Sequence, residues 1–113
     1  MSVLEANAID AIARTNDNKG IVLLITDHLG WENEYQHLKI LQKKINAYIS
    51  FLESEQYKEI YTDKIITYGI IELHFIEELP QSANKFLQVV QDQVGKLGIR
   101  IQYLISKVDE HET

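Results

Sequence analysis

The chain has no cysteine, one proline, five glycines and, at Arg14 and Arg100, two arginines. Without a thiol it can have no disulfide framework, thiolate nucleophile or cysteine-ligated zinc or iron–sulfur site. Pro80 and the scattered glycines mark no linker, phosphate-binding loop or dinucleotide fingerprint, so no cofactor is expected. The longest apolar run, Ile21 to Ile25, is far short of the roughly 20 residues of a membrane helix. With no basic leader either, a soluble, cytoplasmic protein is expected. Eleven Lys+Arg stand against 17 Asp+Glu, a formal charge of −6. Phosphate binding begins with Lys and Arg, and the densest basic group is Lys39, Lys43 and Lys44, which reads as a solvated helix face. Nucleic acid and anionic membranes are therefore excluded as main partners.

What is present is enough for one folded domain. At 113 residues and 45% hydrophobic, the chain can bury roughly two thirds of its unfolded surface. Ala8 to Arg14 and Ile21 to Asp27 flank the turn-forming run Thr15-Asn16-Asp17-Asn18-Lys19-Gly20, which predicts a β-hairpin. From about Asn33 to about Glu55, Leu38, Leu41, Ile45, Tyr48, Ile49 and Leu52 recur at steps of three and four, which predicts a helix capped by Asn33. Lys64 to Glu77 alternates as a long strand. Pro80 suits the first turn of a second helix carrying Phe86, Leu87, Val90, Val94 and Leu97, closed by Gly98. Ile99 to Ser106 alternates as a final strand.

The order β-β-α-β-α-β predicts an α+β two-layer sandwich: a four-stranded mixed sheet with both helices on one face. Residues 1–106 form the domain, and 107–113 are a polar, flexible tail. The face away from the helices then carries the apolar residues Ile12, Val22, Leu24, Ile66, Tyr68, Ile70, Ile76 and Leu104. Among them lie Asp10, Thr26, Glu72, His74, Arg100 and Gln102. Such a face is too apolar for open water and predicts an interface, with a face-to-face homodimer as the expected form.

Chemically capable groups crowd only between Asp27 and His37. Glu34 and His37 are three apart, the Glu-x-x-His spacing of metal-carboxylate bundles, and Asp27 and His28 could fold back to complete a ligand set. Trp31 would wall a pocket there. Asn46, polar within an otherwise strong helix, suits a pocket or a polar contact. No serine sits in a strained, glycine-flanked turn, so the sequence names no catalytic residue.

The stretch Asp27-His28-Leu29-x-Trp31, with His37-Leu38-x-x-Leu41-Gln42-x-Lys44-Ile45-Asn46-x-Tyr48-x-x-Phe51-x-Glu53-Ser54, resembles the signature of a small bacterial domain-of-unknown-function family. The resemblance covers most of the chain, implies a single domain of similar length, and implies no activity or cofactor. Glu55 departs from it, because a glycine commonly ends the helix there. Two expectations follow. The first is a non-catalytic protein-interaction module, homodimeric, regulatory or immunity-like, that binds itself or another protein. The second is a small-ligand or metal-binding protein or hydrolase using Asp27, His28, Glu34 and His37.

Overall fold

The alternation in Ile21-Val22-Leu23-Leu24-Ile25 sends every second side chain to each side of a strand, and one side is entirely buried. In the computed structural model, which describes residues 3–61 and 66–106, this is β2 (Gly20–Asp27), preceded by β1 (Ala11–Arg14). The connecting turn closes with Asn18 donating to the Thr15 carbonyl and Thr15 donating to the Gly20 carbonyl, and Asn18 takes the left-handed φ of 62° that asparagine tolerates. Helix α1 (Glu34–Glu53) follows, then β3 (Tyr68–Phe75), α2 (Gln81–Val94) and β4 (Ile99–Ile105). The sheet order is β1-β2-β3-β4, with β1 antiparallel to β2 and β2, β3 and β4 mutually parallel. The fold is thus a four-stranded mixed sheet with two helices in the order β-β-α-β-α-β.

Register carries the alternation across the strands. Leu23 lies beside Ile71 and Ile25 beside Leu73, while Ile71 lies beside Ile101. These rows meet Leu41, Ile45, Tyr48 and Leu52 from α1 and Leu87, Val90 and Val94 from α2 in one core. Burial of each large aliphatic contributes roughly 1.5–3 kcal/mol. Gly69 lets α1 approach β3 closely: a Cβ there would meet Leu52 side-chain atoms at 3.0 Å. Asn33 caps α1 by accepting from the Gln36 amide, and Pro80 stands at the N-cap of α2. Gly98, with φ of 77°, makes the turn into β4.

Several boundaries and faces differ from the alternation alone. β1 is shorter than Ala8 to Arg14, because residues 8–10 leave the ladder to meet α1. Within β3, the ladder begins only at Tyr68; Lys64 and Ile65 lie outside the described residues, and Ile66 packs against the core instead of the open face. Ile12 is also on the helix side, since it pairs with Leu23 and packs on the core. The hairpin turn over residues 15–19 fixes that register, and a one-residue shift inverts every face of so short a strand. The polar tail 107–113 lies outside the described residues.

The largest departure is Lys44. It is wholly buried, not solvated. Its ammonium donates to the carbonyls of Glu5 and Ala8 at 2.7 and 2.6 Å and to the Asp10 carboxylate at 2.8 Å, so all three protons are matched. Asp10, whose side chain is 3% exposed, also accepts from the Thr26 amide at 3.0 Å, which takes it off the open sheet face. Tyr48, one helical turn beyond Lys44, accepts from the Asp10 amide at 2.8 Å and donates to the Leu24 carbonyl. Burial pushes its phenol pKa well up. Val3 then reaches the core, donating its amide to the Thr26 carbonyl. Two side chains of α1 thus fasten the N-terminal segment to β2.

Two predictions follow from this packing. Lys44→Met leaves the Asp10 carboxylate without its ammonium partner, held by the Thr26 amide alone, and takes a donor from the Glu5 and Ala8 carbonyls, so urea denaturation should show a loss of about 3–5 kcal/mol; a loss below about 1 kcal/mol contradicts the clamp. Glu55, just past α1, holds φ of 61° with a non-glycine side chain and a surface ion pair to Lys58. Relief of that conformation outweighs a surface pair worth a few tenths of a kcal/mol. Glu55→Gly should therefore raise stability by about 0.5–1 kcal/mol in the same assay, and a lower stability refutes the assignment of strain.

Candidate functional site

Asp27 closes β2 with the parity of Ile21, Leu23 and Ile25, so its carboxylate points into the core and is 0% exposed. A buried carboxylate demands donors. Its Oδ1 accepts from the Leu29 amide at 3.0 Å, and its Oδ2 lies 2.6 Å from His37 Nε2. His37 begins the buried stripe that continues through Leu41, Lys44, Tyr48 and Leu52, and is itself 3% exposed. Its Nδ1 donates to the Gly30 carbonyl at 2.9 Å, leaving one proton held between Nε2 and Oδ2. Trp31 stacks on the imidazole with ring centroids 3.6 Å apart and an interplanar angle of 20°. The indole also packs at 6.0 Å from Phe75, at the end of the neighbouring strand. Its Nε1–H is buried without a hydrogen-bond partner among the described residues.

This arrangement is turned inward and internally bonded. Both imidazole nitrogens are engaged with protein oxygens, so neither lone pair can meet a metal or accept a substrate proton. The four expected ligands do not assemble. Asp27 and His37 come together; His28 is exposed, and the exposed Glu34 accepts instead from the Ser82 hydroxyl at 2.6 Å, tying the first turns of α1 and α2. Among the described residues no group of three or more His, Asp or Glu side chains could hold a metal ion. The Glu34–His37 spacing fails because His37 is turned inward by the stripe it belongs to, whereas Glu34 faces the second helix.

Trp31 and Asn46 likewise do not share a pocket. Asn46 is exposed and borders a groove of about 190 Å³ between the helices, with Gln42, Ile49, Phe86 and Val90. A larger depression, about 530 Å³, lies at the opposite end of the sheet beside Tyr68, Gln91 and Arg100. The parallel strands run β2-β3-β4 without reversal of order, so the fold has no topological switch point to open a crevice at their carboxyl ends.

The open face of the sheet is the other candidate. Register aligns Val22, Ile70 and Arg100 in one row, Leu24, Glu72 and Gln102 in the next, and Thr26, His74 and Leu104 in a third, with Tyr68 at one corner. Ala11 and Ala13 continue the face on β1, where Ile12 had been expected, and Ile76 lies just past β3 at 42% exposure. Glu72 accepts from Gln102 Nε2 at 2.6 Å and bonds His74 Nε2 at 2.9 Å. The His74 bond, then the Gln102 bond, holds its carboxyl below the usual carboxylate range. Tyr68 donates its hydroxyl to the Asp17 carboxylate. Only Glu72 and Arg100 carry full formal charges in these rows, so on a chain of −6 this surface is balanced.

Two polar devices lie outside the expected sites. One is the Lys44–Asp10–Tyr48 clamp, which the stripe 37-41-44-48 places inward. The other is Gln91, whose carboxamide hydrogen-bonds the backbone of β4; nothing in the local pattern marks it.

No curated protein and no solved structure matches the chain. A family model, described as a family of unknown function (DUF6572), matches residues 1–107. The chain belongs to that family.

If the Asp27–His37–Trp31 cluster is structural, His37→Ala, which leaves Asp27 buried and unpaired and Trp31 unstacked, should cost about 3–5 kcal/mol in chemical denaturation. The emission of the only tryptophan should shift with it. Added zinc or manganese should leave the wild-type melting temperature unchanged; a saturable rise of several degrees that His37→Ala abolishes contradicts the closed site.

Proposed function

We propose that this chain is a non-catalytic protein-interaction module whose working surface is the open sheet face, covered in its assembled state by a second copy or by another protein. The observation that supports this most is the contrast between the two candidate sites. The Asp27–His37 pair has spent its hydrogen-bonding capacity inside the protein, whereas the sheet presents Val22, Leu24, Tyr68, Ile70 and Leu104 on a side that neither helix covers. Apolar rows of this kind gain by being covered. Polar groups on the same face are already paired with one another, as in Glu72 with His74 and Gln102, so their desolvation on docking costs less than for free charges. A regulatory or immunity-like role is the form such a module takes when its partner is a basic protein, since the remaining surface is acidic and favours encounter with positive charge. In that setting the protein works in the cytoplasm.

The reading expects a face-dependent complex. Wild-type protein and Ile70→Lys are used as baits in native extract, and bound proteins, including further copies of the chain, are identified by mass spectrometry. A species held by the wild type and lost from the folded variant supports the face. Equal recovery by both baits overturns it.

A further inference from the structure

β4 ends the sheet, and among the described residues its outer edge has no neighbouring strand. The Gly98 carbonyl and the Ser106 amide are bonded toward β3, so strand alternation turns the backbone groups of residues 99, 101, 103 and 105 outward. Gln91 fills the first outward position. Its Nε2 donates to the Ile99 carbonyl at 3.1 Å, and its Oε1 accepts from the Ile101 amide at 2.7 Å, the two bonds that a residue of an adjacent parallel strand would make. Beyond Gln91, the Ile101 carbonyl, both backbone groups of Tyr103 and the Ile105 amide point outward without a partner among the described residues.

That set is complementary to itself. When a second β4 is placed antiparallel with Tyr103 opposite Tyr103, the two tyrosines exchange a pair of N–H···O bonds. Each Ile105 amide then meets the Ile101 carbonyl of the other copy. The Ile101 amide is already held by Gln91, so the Ile105 carbonyl opposite it makes no bond across the pair, and each end of the pairing rests on one bond. Side chains agree with the backbone: on the helix side Tyr103 faces Tyr103 and Ile101 faces Ile105, both favourable cross-strand pairs. Exposed edges commonly carry lysine or proline against such pairing. From Ile101 to Ser106 this edge has neither, and it has no charge at all in a chain of −6. Tyr103 and Leu104 are 45% and 42% exposed.

We propose that two copies of this chain pair antiparallel through β4, centred on Tyr103, to form one eight-stranded sheet. The two-fold axis is perpendicular to the sheet, so both helical layers lie on one side and both open faces run together on the other. The proposal rests on the interaction-module reading for its purpose, because pairing doubles the surface available to a partner, but its geometry stands on the edge alone.

Residue 103 faces its own copy only in this arrangement, which permits a charge-swap test on the full chain by sedimentation equilibrium. The wild type is expected to be a dimer. Tyr103→Lys and Tyr103→Asp, each checked for folding by circular dichroism, should each lose at least tenfold in self-affinity, and an equimolar mixture should recover the dimer. Should either variant not fold, photo-oxidative cross-linking of the wild type decides: a Tyr103–Tyr103 dityrosine link supports the pairing, and its absence overturns it. A monomeric wild type, variants that stay dimeric alone, or a mixture that stays monomeric also overturns it. A dimer lost in Ile70→Lys and kept in both Tyr103 variants refutes edge pairing while supporting the open face, whereas equal partner recovery by Ile70→Lys with an intact charge swap does the reverse.

Discussion

One-sided burial of the sheet is the constraint on which the rest of this structure depends. Both helices follow parallel strands and return across the same face, so every hydrophobic row must choose between a dense core and an uncovered surface. Ile21, Leu23, Ile25, Ile71 and Leu73 take the covered side and are completely buried. The opposite rows set Val22, Leu24, Ile70 and Leu104 among polar side chains, and the described residues supply no third layer to shield them.

Polar groups on the covered side are bound by the same constraint. Asp27, His37, Asp10 and Lys44 occupy positions that strand parity or the helical stripe turns inward, and each is matched by a partner across the core. Lys44 and Tyr48 tie residues 3–10 to β2; His37 and Trp31 tie the loop after β2 to the start of α1. Satisfied buried networks of this sort specify one arrangement more than they add net stability. The histidine–carboxylate pair belongs to this class, since both of its ring nitrogens bond protein oxygens within the fold.

The fold was legible in the sequence because its signals are periodic. The alternation of β2, the steps of three and four in α1 and Asn33 before that helix correspond to the observed elements, whereas α2 ends at Val94, Leu97 is exposed rather than in its buried stripe, and Gly98 closes the short 3-10 turn that follows. Faces were legible where strands are long. They were misread at Ile12, where a four-residue strand takes its register from the turn, and at Ile66, which precedes the ladder. The candidate site was harder, since it depends on pairings between distant residues. Glu34 and His37 share a helical spacing yet turn to different neighbours, one to Ser82 and the other to Asp27. Lys44 was hidden by its type: three basic residues in six positions look solvated, although the stripe through His37, Leu41 and Tyr48 includes it. The link from Gln91 to β4 leaves no trace in local sequence, because it answers a need created by the sheet edge.

The central claim is that this protein acts through its sheet and not through the Asp27–His37 pair. Methyl and aromatic side-chain NMR over a protein dilution series, repeated with added divalent metal, tests it in one sample. The account predicts that the signals of Leu24, Ile70, Tyr103 and Leu104 move with protein concentration while the rings of His37 and Trp31 stay fixed throughout. Movement confined to the His37 and Trp31 rings on adding metal, with the sheet signals unchanged at every concentration, would contradict it.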